Sequence, residues 1–249
     1  KVVDYIMASS YLPAFKLQRI DGKILIDGGF YENLPINTLT KKNYNKIIAI
    51  RTYGLGNIEK KTENKNEIIF INPSENLGRM LNFDQDNARK NIKMGYFDTM
   101  RYFKNLDGEK YYLKINKDEE YFIKFLLDLD KKIVKRLLKQ LSLTESPWRR
   151  SFFENCIPKL INLLELDYTA DYSKIVIRLL EKIASNLDID RYEIYSFEEL
   201  LKLVRKNYRQ KQRNFTDKLP AFIKTSSLLP KQLKEDLILD VAEKLFIKK

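Results

Sequence analysis

The residue best placed to do chemistry in this sequence is Asp27. An apolar run, Ile24-Leu25-Ile26, leads straight into Asp27-Gly28-Gly29, followed by Asn33 and Pro35. Read as a strand, Lys23–Ile26 puts the aspartate at its carboxyl end, where α/β sheets gather ligands and catalytic groups. The two glycines let the backbone turn sharply and let a substrate come close, and Asn33 and Pro35 start the next helix. A carboxylate so placed can take a proton from a hydroxyl. It can equally accept amide hydrogen bonds within a turn.

Residue types that are missing narrow the chemistry. There is no histidine, which excludes a Ser-His-Asp triad, a Cys-His dyad and any histidine-bearing metal site within these 249 residues. The single cysteine, Cys156, excludes an internal disulfide and a cysteine zinc cluster. It sits in an apolar helical stretch and reads as an inert core thiol. Asp84, Asp86, Asp98 and Asp107 lack metal-loop spacing, so no metal and no cofactor is expected.

The elements around Asp27 are those of an α/β fold. Lys16–Ile20 and Lys23–Ile26 flank Asp21-Gly22, a dipeptide suited to a type I′ hairpin turn. The short β-branched runs Lys46–Arg51 and Glu67–Ile71 read as buried parallel strands, with KILI beside KIIAI in one sheet. Pro35 falls in the first turn of a short helix, so strand, helix and strand follow in βαβ order. Asp84 caps a helix through Phe103 with Ile92, Tyr96, Met100 and Phe103 as its apolar stripe.

Beyond Gly108 the pattern changes to helical periodicity, near 119–142, 147–166, 169–187, 197–213 and 230–247. Ser196 with Glu199 forms a capping box. The expected organisation is an α/β part over residues 1–108 and an all-helical extension over 109–249, without strands after about residue 119.

Net charge is +12, spread as 17 basic and 12 acidic residues in 1–108 and 29 and 22 in 109–249. Charge this diffuse does not describe a nucleic-acid-binding arm, and no nucleic-acid partner is expected. Residues 202–213 hold six basic and no acidic side chains. Lys202, Arg205, Arg209 and Arg213 repeat at helical spacing beside Leu201, Val204 and Tyr208. That stripe is either a solvated helix face or a peripheral contact with an anionic membrane. Trp148, beside Arg149 and Arg150, reads as an interfacial anchor or as half-buried packing. Lys131–Leu141 alternates cations with Ile133, Val134, Leu137 and Leu138 and reads as ordinary amphipathic packing. No stretch approaches the ~18 consecutive apolar residues of a membrane span.

Taken together, Ala8-Ser9, Pro13 and Phe15, a hairpin, then Asp27-Gly28-Gly29, Asn33, Pro35 and the apolar strand Ile47–Ile50 resemble the C-terminal part of the patatin-like phospholipase domain. The resemblance covers about residues 1–105, including NPSENLGRMLNF and NIKMGYFDTMRYF, and does not reach the helices beyond residue 110. It implies the C-terminal part of a three-layer α/β/α sheet and a Ser-Asp dyad acting on lipid or phospholipid esters. In that dyad Asp27 is the general base, so the lack of histidine is no obstacle.

The family's G-x-S-x-G nucleophile elbow and its glycine-rich oxyanion loop are absent from this sequence. Both lie earlier in the family's order, and the chain opens on Lys1 with no signal-peptide pattern. More polypeptide is therefore expected upstream, and these 249 residues alone are expected to be inactive. Ser9, Ser10 and Ser74 lack a glycine elbow, and Gly54-Leu55-Gly56 reads as a loop after the strand. The resemblance implies a cytoplasmic acyl hydrolase, soluble or peripheral to a membrane. The rival reading keeps the patatin scaffold as a non-catalytic binding or regulatory protein.

Overall fold

Four helix starts among the described residues are set by side chains that accept the otherwise unpaired first amides. Asp84 Oδ1 accepts from the Asn87 amide at 2.7 Å, Asp118 Oδ1 from Tyr121 at 3.0 Å and Asp130 Oδ1 from Lys132 at 2.6 Å. Ser196 and Glu199 bond reciprocally, at 2.8 and 3.2 Å, as a capping box does. The computed structural model describes residues 2–11, 19–52, 67–79, 83–210 and 231–247. About 57% of these are helical, so the chain is mixed α/β with small sheets and a helical majority. It divides into two compact units, residues 1–102 and 103–249.

The first unit contains α1 (Val2–Ala8), β1 (Arg19–Ile20), β2 (Lys23–Ile24), α2 (Gly29–Glu32), α3 (Ile36–Lys41), β3 (Lys46–Ile50), β4 (Glu67–Ile71) and α4, which runs Gln85–Phe103. The Asp21-Gly22 hairpin forms: φ is positive at both residues, 48° and 77°, and Ile20 pairs with Lys23. β3 and β4 are parallel and in register from Lys46 opposite Glu67 to Ile50 opposite Ile71. Ile47 and Ala49 are buried on one face of β3, and Ile71, opposite Ile50, is buried on β4. Ile48 and Ile50, on the other face of β3, are 51% and 64% exposed.

Three expectations for this unit change. KILI does not join KIIAI: among the described residues each sheet has two strands, and β2 pairs only with β1. The described residues show small two-stranded sheets and leave the patatin-like three-layer arrangement an expectation. Asp27 lies three residues past the last strand residue, Ile24, rather than at a strand end. On α4 the stripe of Ile92, Tyr96 and Phe103 is exposed, and Met94 and Asp98 are the buried positions instead. Asp98 earns its burial by accepting from the Ser74 amide at 2.9 Å and from Arg101 at 3.1 Å.

The second unit contains β5 (Tyr112–Leu113), α5 (Glu119–Leu127), α6 (Lys131–Gln140), α7 (Trp148–Ser151), a π-helical turn Phe152–Cys156, α8 (Ile157–Leu163), α9 (Tyr172–Asn186), β6 (Ile194–Tyr195), α10 (Phe197–Gln210) and α11 (Lys231–Phe246). It is not all-helical, because Tyr112 and Leu113 pair in parallel with Ile194 and Tyr195. The single helix expected over 119–142 is two, broken where Asp128 ends α5 and Asp130 caps α6. The cationic run on α6 packs as expected: Val134, Leu137 and Leu138 are fully buried. α9 is central and buries Ile175, Val176, Leu179, Leu180 and Ile183 against α5, α10 and α11. Trp148 is partly buried against the same core and lies 5.0 Å from the Arg149 guanidinium.

One carboxylate ties the segment before β5 to this core. Glu181 on α9 is 3% exposed, and its Oε1 accepts the amides of Glu109, Lys110 and Tyr111 at 2.8, 2.9 and 2.8 Å. Arg178 pairs with Glu109 and stands 3.9 Å from Glu181 Oε2. Gly108 makes the approach possible. Its φ is +89°, and a Cβ there would meet Tyr111 O at 2.6 Å and Glu181 Oε1 at 2.7 Å. Gly108→Ala should therefore cost at least ~2 kcal/mol from backbone strain and overlap. Glu181→Ala, which strands three amides, should cost roughly 3–5 kcal/mol. Glu181→Gln keeps an acceptor oxygen and should cost less than either. Urea unfolding followed by far-UV circular dichroism checks the order, and a wild-type midpoint for Gly108→Ala would contradict it.

Candidate functional site

Asp27 stands between the irregular residues 25–26 and α2, and it is half-buried. Its amide donates to Tyr11 O at 2.9 Å, and its carbonyl accepts from Phe30 at 3.1 Å. Its Oδ1 accepts the Gly29 amide at 2.7 Å, closing an Asx turn that opens α2. Among the described residues Oδ2 has no hydrogen-bond partner. The side chain is therefore held by one oxygen and presents the other.

The glycines serve this turn differently from the expectation. Gly28 has φ −59°, an ordinary helical value, so no left-handed backbone demands glycine there. A Cβ at Gly28 would meet nothing within 4 Å beyond its chain neighbours, so packing does not demand glycine there either. At Gly29 a Cβ would stand 3.1 Å from Asp27 Oδ1 and 3.5 Å from Asn33 Oδ1. Gly29 thus preserves the short amide-to-carboxylate bond. Asn33 ends α2 as its C-cap rather than starting the next helix, and Pro35 is the N-cap of α3. Asp27, Gly28, Gly29 and Asn33 come together in this one turn.

Sequence reasoning missed Glu32. Its Oε1 accepts the Asn37 amide at 2.8 Å and its Oε2 the Thr38 hydroxyl at 2.6 Å. This clamps α2 to the start of α3 and fixes the turn from its far side. The signal was a Glu five residues ahead of Asn37, a spacing that local capping rules do not contain. The Ser9 and Ser10 hydroxyls are exposed and donate to the carbonyls of Ile6 at 2.6 Å and Met7 at 2.8 Å.

The basic stripe belongs to the second unit. Lys202 and Arg205 are exposed on α10. Arg205 is not a plain solvated cation, because its Nε donates to Phe246 O at 3.0 Å, at the end of α11. Pro13, Phe15, Gly54, Gly56, Arg213 and the side chain of Arg209 lie outside the described residues. Among the described residues no group of three His, Cys, Asp or Glu side chains could hold a metal ion. Cys156 is fully buried in the π-helical turn, and burial pushes its thiol up to about 12, with Lys159 opposing weakly.

Two outcomes follow. Asp27→Asn keeps an oxygen for the Gly29 amide and should leave the urea midpoint of this chain nearly unchanged, whereas Asp27→Ala should lose about 1 kcal/mol. Equal losses would mean that the turn needs the charge. At pH 8 a thiol near 12 is ionised in only about one molecule in 10⁴. Iodoacetamide should therefore label Cys156 in denaturant and leave the folded chain unmodified for hours; rapid native labelling would contradict the buried assignment. Comparisons of the chain with protein-family models, with curated proteins and with solved structures find no match.

Proposed function

We propose that this chain is the C-terminal part of a patatin-like lipid acyl hydrolase in which Asp27 is the general base of a Ser-Asp dyad. The observation that carries the reading is the state of the Asp27 carboxylate. One oxygen is fixed by the Gly29 amide at 2.7 Å, and the other has no hydrogen-bond partner among the described residues. A serine hydroxyl arriving there would donate to Oδ2. As Oγ attacks the ester carbonyl the proton passes to the carboxylate, which returns it to the leaving alcohol. Water then resolves the acyl-enzyme by the same transfers. No cofactor is needed.

The β3–β4 pair supports the same reading. Parallel strands normally have both faces covered, yet Ile48 and Ile50 are exposed on one side. On this reading that side packs against further polypeptide, which also brings the nucleophile elbow and the oxyanion donors. A lipid or phospholipid ester is the proposed substrate. No helix among the described residues is long and apolar enough to cross a membrane, and the proposed setting is the cytoplasm with peripheral membrane contact. A second reading, a patatin scaffold that binds without catalysis, is favoured by the same turn bond, which suffices to explain an aspartate at position 27.

The two separate in the intact protein, where the upstream sequence is read for G-x-S-x-G and esterase activity is measured. Asp27→Asn should lower kcat by about 10²–10⁴ with the fold retained, and a fluorophosphonate should label the serine more slowly than in wild type. Near wild-type turnover in a folded Asp27→Asn protein, or an upstream sequence without the serine, would leave the scaffold reading.

A further inference from the structure

We infer that the helical unit holds a binding site for a single-chain anionic amphiphile, of the class of long-chain fatty acids, in the groove between α5, α6, α10 and α11. The inference concerns the second unit alone and does not rest on the role given to Asp27.

The groove encloses about 660 Å³, within the range of small-ligand sites. Its apolar wall is made by Phe125, Leu129, Ile133, Leu245 and Phe246. A second depression of about 790 Å³ adjoins it, sharing Tyr121, Phe125 and Arg205 and adding Leu201. The wall is fixed rather than loose. The Phe125 ring stacks on Phe246 with centroids 6.0 Å apart and meets Phe197 edge-on at 6.1 Å. Aliphatic and aromatic carbon so arranged suits an alkyl chain, which gains by leaving water.

The charges around the wall choose the head group. Lys124, Lys202, Arg205 and Lys206 line the two depressions, and among the described residues none of them makes an ion pair. The carboxylates on the same lining are mostly committed. Asp130 caps α6 through the Lys132 amide, and Glu198 pairs with Lys117 at 3.5 Å, which leaves Asp128. Four cations against three carboxylates, one of them paired with Lys117 from outside the lining, leave the rim net positive and favour an anion. Arg205 is positioned for it. Its Nε is spent on Phe246 O at 3.0 Å, which holds the guanidinium at the junction of the two depressions with its terminal nitrogens available to a carboxylate.

The test uses the whole 249-residue chain and 11-(dansylamino)undecanoic acid below its critical micelle concentration. Saturable fluorescence enhancement is expected, reversed by palmitate and not by hexadecanol, which has the chain without the charge. Lys124→Gln/Lys202→Gln changes two exposed side chains, and should weaken probe binding about tenfold with an unchanged unfolding midpoint. Lys132→Gln/Arg136→Gln removes the same net charge from side chains that do not line the groove, and should bind as wild type. Arg205→Gln should weaken binding further, at some cost in stability through the lost Phe246 bond. Four outcomes would each overturn the site: no saturable binding, equal displacement by hexadecanol or by an acidic peptide, equal weakening in the two double variants, or binding to anionic vesicles without binding of the monomeric probe.

Discussion

Three successive backbone amides, those of Glu109, Lys110 and Tyr111, converge on one oxygen of the buried Glu181, and the helical unit is arranged around that convergence. A carboxylate this far from water is costly unless its charge is met by donors. Here they come from a segment about 70 residues earlier in the chain. The same segment is pinned by Lys110 to Ser185 and by the Tyr111 hydroxyl to Ile189 O. Once it is docked, Asp107 and Leu113 bridge, and Tyr112 and Leu113 meet β6. β6 delivers Ser196 to the start of α10. The placement of α10, and with it one wall of the groove, thus traces back to a glutamate on α9.

The two units differ in how well they satisfy their own surfaces. In the helical unit, α9 buries apolar side chains on nearly every side, and the residues packed against it form one continuous core. In the α/β unit the apolar residues outnumber the places to hide them. Val2, Val3, Ile6 and Met7 on α1 are all more than half exposed. Large apolar patches left in water usually mark a surface meant for another protein segment or a ligand. The turn that carries Asp27 belongs to this less satisfied unit.

What could be read from the residues was what neighbours in the chain decide. The caps at Asp84 and Ser196–Glu199 and the Asp21-Gly22 turn each involve residues no more than three apart, and all formed. The parallel pairing of KIIAI with EIIFI was legible from two apolar runs of matching length. The amphipathic stripe on α4 was legible as a period but not as a destination, since periodicity does not say which face another element will cover. Ile92 lies in water while Asp98 lies inside. Glu181 and the β5–β6 pair were illegible because their partners are some 70 to 80 residues distant. At Asp27 the reading was open between turn and base. The turn bond to Gly29 is present, and it fixes a side chain without consuming its second oxygen.

The β3–β4 pair, partly exposed among the described residues, has a consequence for the behaviour of the chain on its own. Among the described residues each strand bonds a neighbour on one side only, so both present a row of unmatched amides and carbonyls next to exposed Ile48, Ile50 and Phe70. Such edges template pairing between molecules. The pair of opposite charges that guards one end, Lys46 with Glu67 at 3.1 Å, is internally neutral and repels little. Resistance to clumping then falls to the overall charge of +12, a long-range force that dissolved salt weakens. The chain is colloidally safest in dilute buffer and increasingly prone to edge-to-edge association as ionic strength rises.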